Sequence, residues 1–242
     1  MKLLQCNYET IETPEKKWNY DSEIIGIDIP VVAVMGIGQN VQKFDLQLYL
    51  RSRFIDKGYK VSQIGTKKIS GLFGLHPLPD FLFNTQYSDV DKVYAFNRVM
   101  KDVSMQEKPD VILLGIPDSL LPLNNKHRFS FGLYAYEIFN AVQPDFVITS
   151  LMANDGYNDE FYSEISKMAK YKYNVNIDAY FVSQFCPLSN SIWSEKLSYV
   201  YLPQMELPKT EYKVYTTSDL NNDILFKQAE KKLLLYGKYE QY

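Results

Sequence analysis

The chain has 242 residues, 46% of them hydrophobic and 23% charged, which is ordinary globular composition and enough chain for one large α/β domain. A formal net charge of −3 gives no electrostatic attraction to nucleic acid or to an anionic membrane surface, so neither is an expected partner. The two cysteines, Cys6 and Cys186, and the two histidines, His76 and His127, form no metal-spaced set, and the thiols read as reduced in a cytoplasmic protein.

Residues 1–29 read as a polar lead-in, with short edge strands at 2–8 and 18–25 as possible elements. Residues 1–17 lack a long apolar core, so no signal peptide or membrane span is expected. The domain proper is expected over 30–242. Residues 31–35, VVAVM, are a short β-branched run bounded by Pro30 and Gly36, which predicts a buried strand. A helix follows from about 42 to 57, with Val41, Phe44, Leu48 and Ile55 on its apolar face and Gly58 as its cap. Residues 59–65 alternate as a second strand. Residues 66–87 form a long connection broken by Gly71, Gly74, Pro77 and Pro79, with His76 as a loop residue.

Ser88 or Asp89 caps a helix to about 106, its apolar face being Val90, Val93, Phe96, Val99, Met100 and Val103. Pro109 and Asp110 open the apolar run 111–116, and Pro144 and Asp145 open a like run from 146. Unbroken apolar runs suit central parallel strands covered on both faces. Between them lie a loop at 119–129 and a helix at 131–142. Further on, the pattern predicts a helix at 158–172 and a strand at 177–185. Weaker strands follow at 198–202 and 212–216, with a last helix capped by Asp219 and running to about 236. Strands alternating with helices give an α/β fold, a mainly parallel central sheet with helices on both faces. Ligands of such sheets bind beyond the carboxyl ends of the strands. Those ends carry residues 36–43, 65–68, 115–119, 154–155 and 184–186, which would then form one site.

The turn between the first strand and its helix holds Gly36, Gly38, Gln39 and Asn40, with Gln42, Lys43 and Phe44 entering the helix. Strand, glycine turn and helix with a lysine in the first turn is the layout of a phosphate-binding loop, where backbone amides, the helix dipole and the lysine face an anion. An ordinary strand–helix turn with a solvated lysine accounts for the same residues. The usual pattern puts glycine before the lysine and a Mg²⁺-holding hydroxyl after it. Here Gln42 precedes Lys43, Phe44 offers no oxygen, and Asp45 adds a negative charge.

The run from Val34 to Phe81 resembles the phosphate-loop region of a bacterial family, the peptide maturation system proteins of clostridial natural-product clusters. That family is similar in turn to a broader P-loop NTPase-like group. The runs KPDVILLGIPDSLLPLN and AVQPDFVITSLMANDGYNDEF fit the same family, and the resemblance spans about 30–185. It implies a P-loop NTPase-like domain of the dethiobiotin-synthetase type, working beside enzymes that modify a ribosomally made peptide. Gly36, Lys43, Phe44, Leu46 and Gln47 match the family loop. Ile37, Gly38, Gln42 and Asp45 stand where threonine, serine, glycine and threonine are expected. The resemblance also implies that a large leading domain of relatives is absent here.

Other candidates carry two readings each. Asp118 can hold Mg²⁺ through water or be a solvated turn acid after Pro117. Asn154 and Asp155 sit where related hydrolases read a base, or form an Asn-Asp-Gly turn. His127, between Lys126 and Arg128, can bind phosphate or a peptide carboxylate, or belong to a basic exposed loop. Cys186 reads as a small buried residue. The favoured function is an accessory scaffold for maturation of a ribosomally made peptide, holding the precursor peptide or a modifying enzyme with little or no hydrolysis. The alternative is a nucleotide-dependent hydrolase using ATP or GTP with Mg²⁺.

Overall fold

A computed structural model describes residues 23–66, 68–203 and 205–235. The suggested strand at 2–8 and most of that at 18–25 lie outside the described residues. The strands are β1 (Val31–Ile37), β2 (Val61–Gly65), β3 (His76–Pro77), β4 (Val111–Gly115), β5 (Phe146–Leu151), β6 (Ala179–Val182), β7 (Phe185–Pro187), β8 (Tyr199–Tyr201) and β9 (Val214–Tyr215). Seven of them form one parallel sheet in the order β3-β2-β4-β1-β5-β6-β9, while β7 and β8 pair antiparallel as a separate hairpin. The three unbroken apolar runs are the three innermost strands, β4, β1 and β5, and their residues are buried almost throughout. A strand covered on both faces has no use for alternation, which is why these sequences show none.

The helices are α1 (Lys43–Asp56), α2 (Asp89–Glu107), α3 (Leu133–Ala141), α4 (Asp159–Tyr173), α5 (Thr217–Asn221) and α6 (Ile224–Leu233). One face of the sheet packs on α2, α3 and α4 through Ile112, Leu114, Phe96, Met100, Ile138 and Tyr173. The other packs on α1 and α6 through Val32, Leu113, Leu50, Phe54 and Phe226. The lead-in docks on α2 as well: Asn97 donates to the Ile25 carbonyl and accepts from the Ile25 amide, each at 2.9 Å.

The Pro-Asp openings have a common structural use. Asp145 accepts the Val31 amide at 2.8 Å, and Asp110 accepts the Lys60 amide at 2.7 Å. Each carboxylate thus satisfies an amide at the start of a neighbouring strand. Asp178 does the same for Val147 at 2.9 Å.

Several boundaries differ from the sequence reading. The apolar face of α1 is Leu46, Leu50 and Phe54 together with Phe44, and Ile55 is 48% exposed. The cause is Gln47, which is buried and donates to the Ile64 carbonyl, turning the helix away from the face that apolar residues alone predict. Val90 of α2 is likewise exposed. Helix α3 starts at Leu133 because Phe129, Phe131 and Gly132 all take positive φ. The strand expected over 177–185 ends at Val182, because Phe185 leaves the sheet to pair with Tyr201. Asp219 does not cap the last helix. Thr216 caps α5 with Asp219 as its reciprocal partner, and Asp223, at φ 56°, breaks the chain before α6. His76 is not a loop residue, since it forms edge strand β3 and binds Glu107 of α2.

Candidate functional site

The loop between β1 and α1 is folded around alternating backbone hands. Gly38, Asn40 and Gln42 have φ of 107°, 54° and 56°, whereas Gln39 and Val41 between them do not take positive φ. Such alternation turns successive amides toward one concavity, the arrangement that receives anions in phosphate loops. It ends at the N-terminus of α1, whose first intrahelical bond runs from the Leu46 amide to the Gln42 carbonyl at 2.9 Å. Gly36 is required by close approach. A Cβ there would lie 2.8 Å from Val41, 2.9 Å from the Lys43 stem and 3.1 Å from the Ser150 carbonyl.

Gln42 holds a left-handed conformation that glycine adopts without penalty. Its side chain is drawn aside, and Oε1 accepts the Gln184 amide at 2.7 Å. The narrowing of the cradle expected from a side chain at this position is met by that excursion toward the end of β6. Lys43 donates to the Asp118 carbonyl. Phe44 is only 8% exposed and stacks edge-on with Phe73, ring centroids 5.8 Å apart. The residue where a metal-binding hydroxyl is usual is thus a packed core ring. Asp45 is exposed.

The loop after β4 braces the β1–α1 loop. The Ser119 hydroxyl accepts the Gly38 amide at 2.7 Å, and the Leu120 amide donates to the Gly36 carbonyl at 3.0 Å. Asp118 sits at φ 56°, and its carboxylate accepts the Ser130 amide at 2.8 Å and the Gln39 side chain at 3.3 Å. Asp118 is thus a half-buried turn acid whose carboxylate also ties the two loops together. On the other side the Ser150 hydroxyl donates to the Val41 carbonyl.

A cavity of about 300 Å³ opens at the N-terminus of α1, lined by Asn40, Val41, Gln42, Lys43, Phe44, Asp45, Thr66, Phe185 and Tyr199. The Tyr199 hydroxyl is buried and has no hydrogen-bond partner, and burial pushes the phenol's pKa up. The expected convergence of strand ends is therefore largely present: residues 36–43, Thr66, Asp118, Ser119, Gln184 and Phe185 come together. Asn154 and Asp155 do not line the cavity. Asn154 accepts the Gly156 amide at 2.8 Å, closing its own turn. His127 is half-buried, and Lys126 and Arg128 beside it are exposed, so the loop is basic and exposed at those two residues. Cys186 is half-buried on β7. Tyr199 was not legible as a site residue, because only the hairpin brings it 156 positions along the chain to Lys43.

This is an α/β protein built on a seven-stranded parallel sheet with helices on both faces. Neither a protein-family model nor a curated protein matches the chain. Among solved structures, it is similar to a DUF1611-family protein from Anabaena variabilis, with TM-score 0.51 and 12% identity over 73% of this chain and 52% of that one. It thus spans about half of that protein's length. Fainter likenesses reach cobyrinic acid a,c-diamide synthase from Mycobacterium smegmatis, solved with ADP and magnesium (TM-score 0.47, 15% identity, 88% of this chain and 97% of that one). They also reach a MobB homologue from Bacillus stearothermophilus (TM-score 0.37, 12% identity, 84% and 97%). No helix among the described residues is long and apolar enough to cross a membrane.

Proposed function

We propose that the protein is an accessory scaffold in the maturation of a ribosomally made peptide, and that its loop binds a nucleotide or other phosphate compound with little or no hydrolysis. The observation that carries the binding-without-turnover reading is the pairing of two features in one loop. Alternating positive φ at 38, 40 and 42 forms an anion cradle beside Lys43, while Phe44 occupies the place of the metal-holding hydroxyl and is packed on Phe73.

Phosphate oxygens fit this site: Gly36 keeps the cradle open and Lys43 supplies charge beside the adjoining cavity. The metal fits less well. A Mg²⁺ arriving with a nucleotide would neutralise phosphate charge, and of the nearby carboxylates Asp118 already accepts from Ser130 and Gln39. That leaves exposed Asp45 as the group to hold it. The role in peptide maturation rests on the resemblance of the ordered runs over 30–185, and the precursor peptide and its modifying enzyme are the partners it names. Asp45 is the feature that favours the alternative, a nucleotide hydrolase.

Steady-state phosphate release from Mg·ATP and Mg·GTP tests the reading. Turnover well below about one per second is expected, because efficient transfer needs a held metal and a positioned water. Faster turnover overturns the scaffold in favour of the hydrolase.

A further inference from the structure

Among the described residues, the hairpin beside the cavity presents a strand edge that no other strand pairs. Pairing of Phe185 with Tyr201, Cys186 with Val200 and Pro187 with Tyr199 fixes the register. The Leu202 amide donates to the Gln184 carbonyl at 2.7 Å, and the Leu188 amide to the Ser198 carbonyl at 2.9 Å. Backbone groups alternate in an antiparallel pair, so 198, 200 and 202 face β7 while the amides and carbonyls of Tyr199 and Tyr201 face the other way. Among the described residues no strand pairs with that edge. Edge strands are normally guarded by lysine, proline or a bulge. Here β8 reads Tyr-Val-Tyr, Val200 and Tyr201 are exposed, and Trp193 at the hairpin tip is 70% exposed. A two-stranded ribbon is marginal by itself and gains most from a third strand.

The geometry points to β8 as a docking edge for an extended peptide, which pairs with the backbone of Tyr199 and Tyr201 and lies across the mouth of the cavity. Charge selects the peptide's flank. At the tip, exposed Lys126 reaches the Trp193 carbonyl at 3.0 Å, and exposed Lys196 follows Glu195 in the tip loop itself. The occupant is therefore an extended segment with acidic residues beyond the Tyr199 end of β8. Tyr199 and Tyr201 share one face of the ribbon, and Tyr199 lines the cavity, so partner side chains on that face are carried to the loop holding Lys43. This inference rests on the peptide-binding part of the proposed function and assigns it a surface.

The probe is a fluorescein-labelled peptide, Thr-Val-Thr-Val-Thr-Asp-Asp, whose antiparallel docking puts its acids at the tip. Its anisotropy is titrated with the full chain, with Tyr201→Pro, which removes an outward amide, and with Tyr201→Ala, which keeps it. A probe N-methylated at alternate amides is titrated with the wild type. The expected result is saturable binding weakened about tenfold or more by Tyr201→Pro and by N-methylation, and less than about threefold by Tyr201→Ala. Binding unchanged by both proline and N-methylation overturns the edge while leaving a peptide-binding protein. Absence of saturable binding of this probe to the wild type overturns the edge, while the proposed function is judged separately by the phosphate-release measurement.

Discussion

The side chain of Gln42 accepts a hydrogen bond from the backbone amide of Gln184 at 2.7 Å, joining the turn that starts α1 to the chain leaving β6. Gln42 itself sits at φ 56°. A side chain in the left-handed region costs about 1 kcal/mol relative to glycine, and a hydrogen bond to a backbone amide contributes about 1 kcal/mol. Gln42→Gly removes both and should leave stability within about 1 kcal/mol of the wild type. Gln42→Ala keeps the conformational cost and loses the bond, so its urea unfolding free energy should fall about 1 kcal/mol below that of the glycine variant. An alanine variant as stable as the glycine variant would show that residue 42 is not held left-handed.

Phe44 has two consequences that separate experimentally. As a ring 8% exposed and packed on Phe73, its replacement by threonine should destabilise the protein by about 2–4 kcal/mol, in the range of large-to-small core changes. As an occupant of the hydroxyl position, it should also limit metal-assisted binding. The double variant Gln42→Gly, Phe44→Thr is therefore expected to be less stable without nucleotide and to bind Mg·ATP or Mg·GTP more tightly. Titration calorimetry checks the second part. Unchanged affinity would place the obstacle outside these two side chains.

Glu107 at the end of α2 joins the edge of the sheet, accepting from the His76 ring and the Ser62 hydroxyl. The His76 hydrogen bond, with that of Ser62, outweighs burial and holds the carboxyl's pKa below the usual glutamate value of 4.5. A lowered folded-state pKa contributes stability that is present above the unfolded value and lost as pH falls through the folded one. Glu107→Gln should accordingly be less stable than wild type above pH 4.5, and the gap should close as the pH drops below it. Urea midpoints at a series of pH values give the test. A gap independent of pH would mean that the charge of Glu107 plays no part.

The central strands were legible because burial on both faces removes polar residues from 31–35, 111–115 and 146–149. The loop was legible in outline from Gly36, Gly38 and Lys43. The face of α1 was misread because Gln47 is polar by type yet fully buried, satisfied in part by the Ile64 carbonyl. The left-handed run through Phe129, Phe131 and Gly132 hid the start of α3, since phenylalanine gives no signal of positive φ. The cavity wall formed by Phe185 and Tyr199 depends on a short hairpin whose register no local pattern specifies. The role of Asp118 was hidden for a similar reason: its partners Gln39 and Ser130 come from two different loops.

The most direct test of phosphate binding at this loop is the nucleotide-induced shift in melting temperature of the wild type and Lys43→Ala. Both are measured with ATP, GTP and their diphosphates, with and without Mg²⁺. A ligand that binds only the folded state stabilises it by RT ln(1 + [L]/Kd), about 2.7 kcal/mol when its concentration is a hundred times Kd. The wild type should be stabilised by at least one of these nucleotides, and Lys43→Ala should lose that shift. No shift with any of them, or an equal shift in Lys43→Ala, would contradict the assignment of residues 36–43 as a phosphate-binding loop.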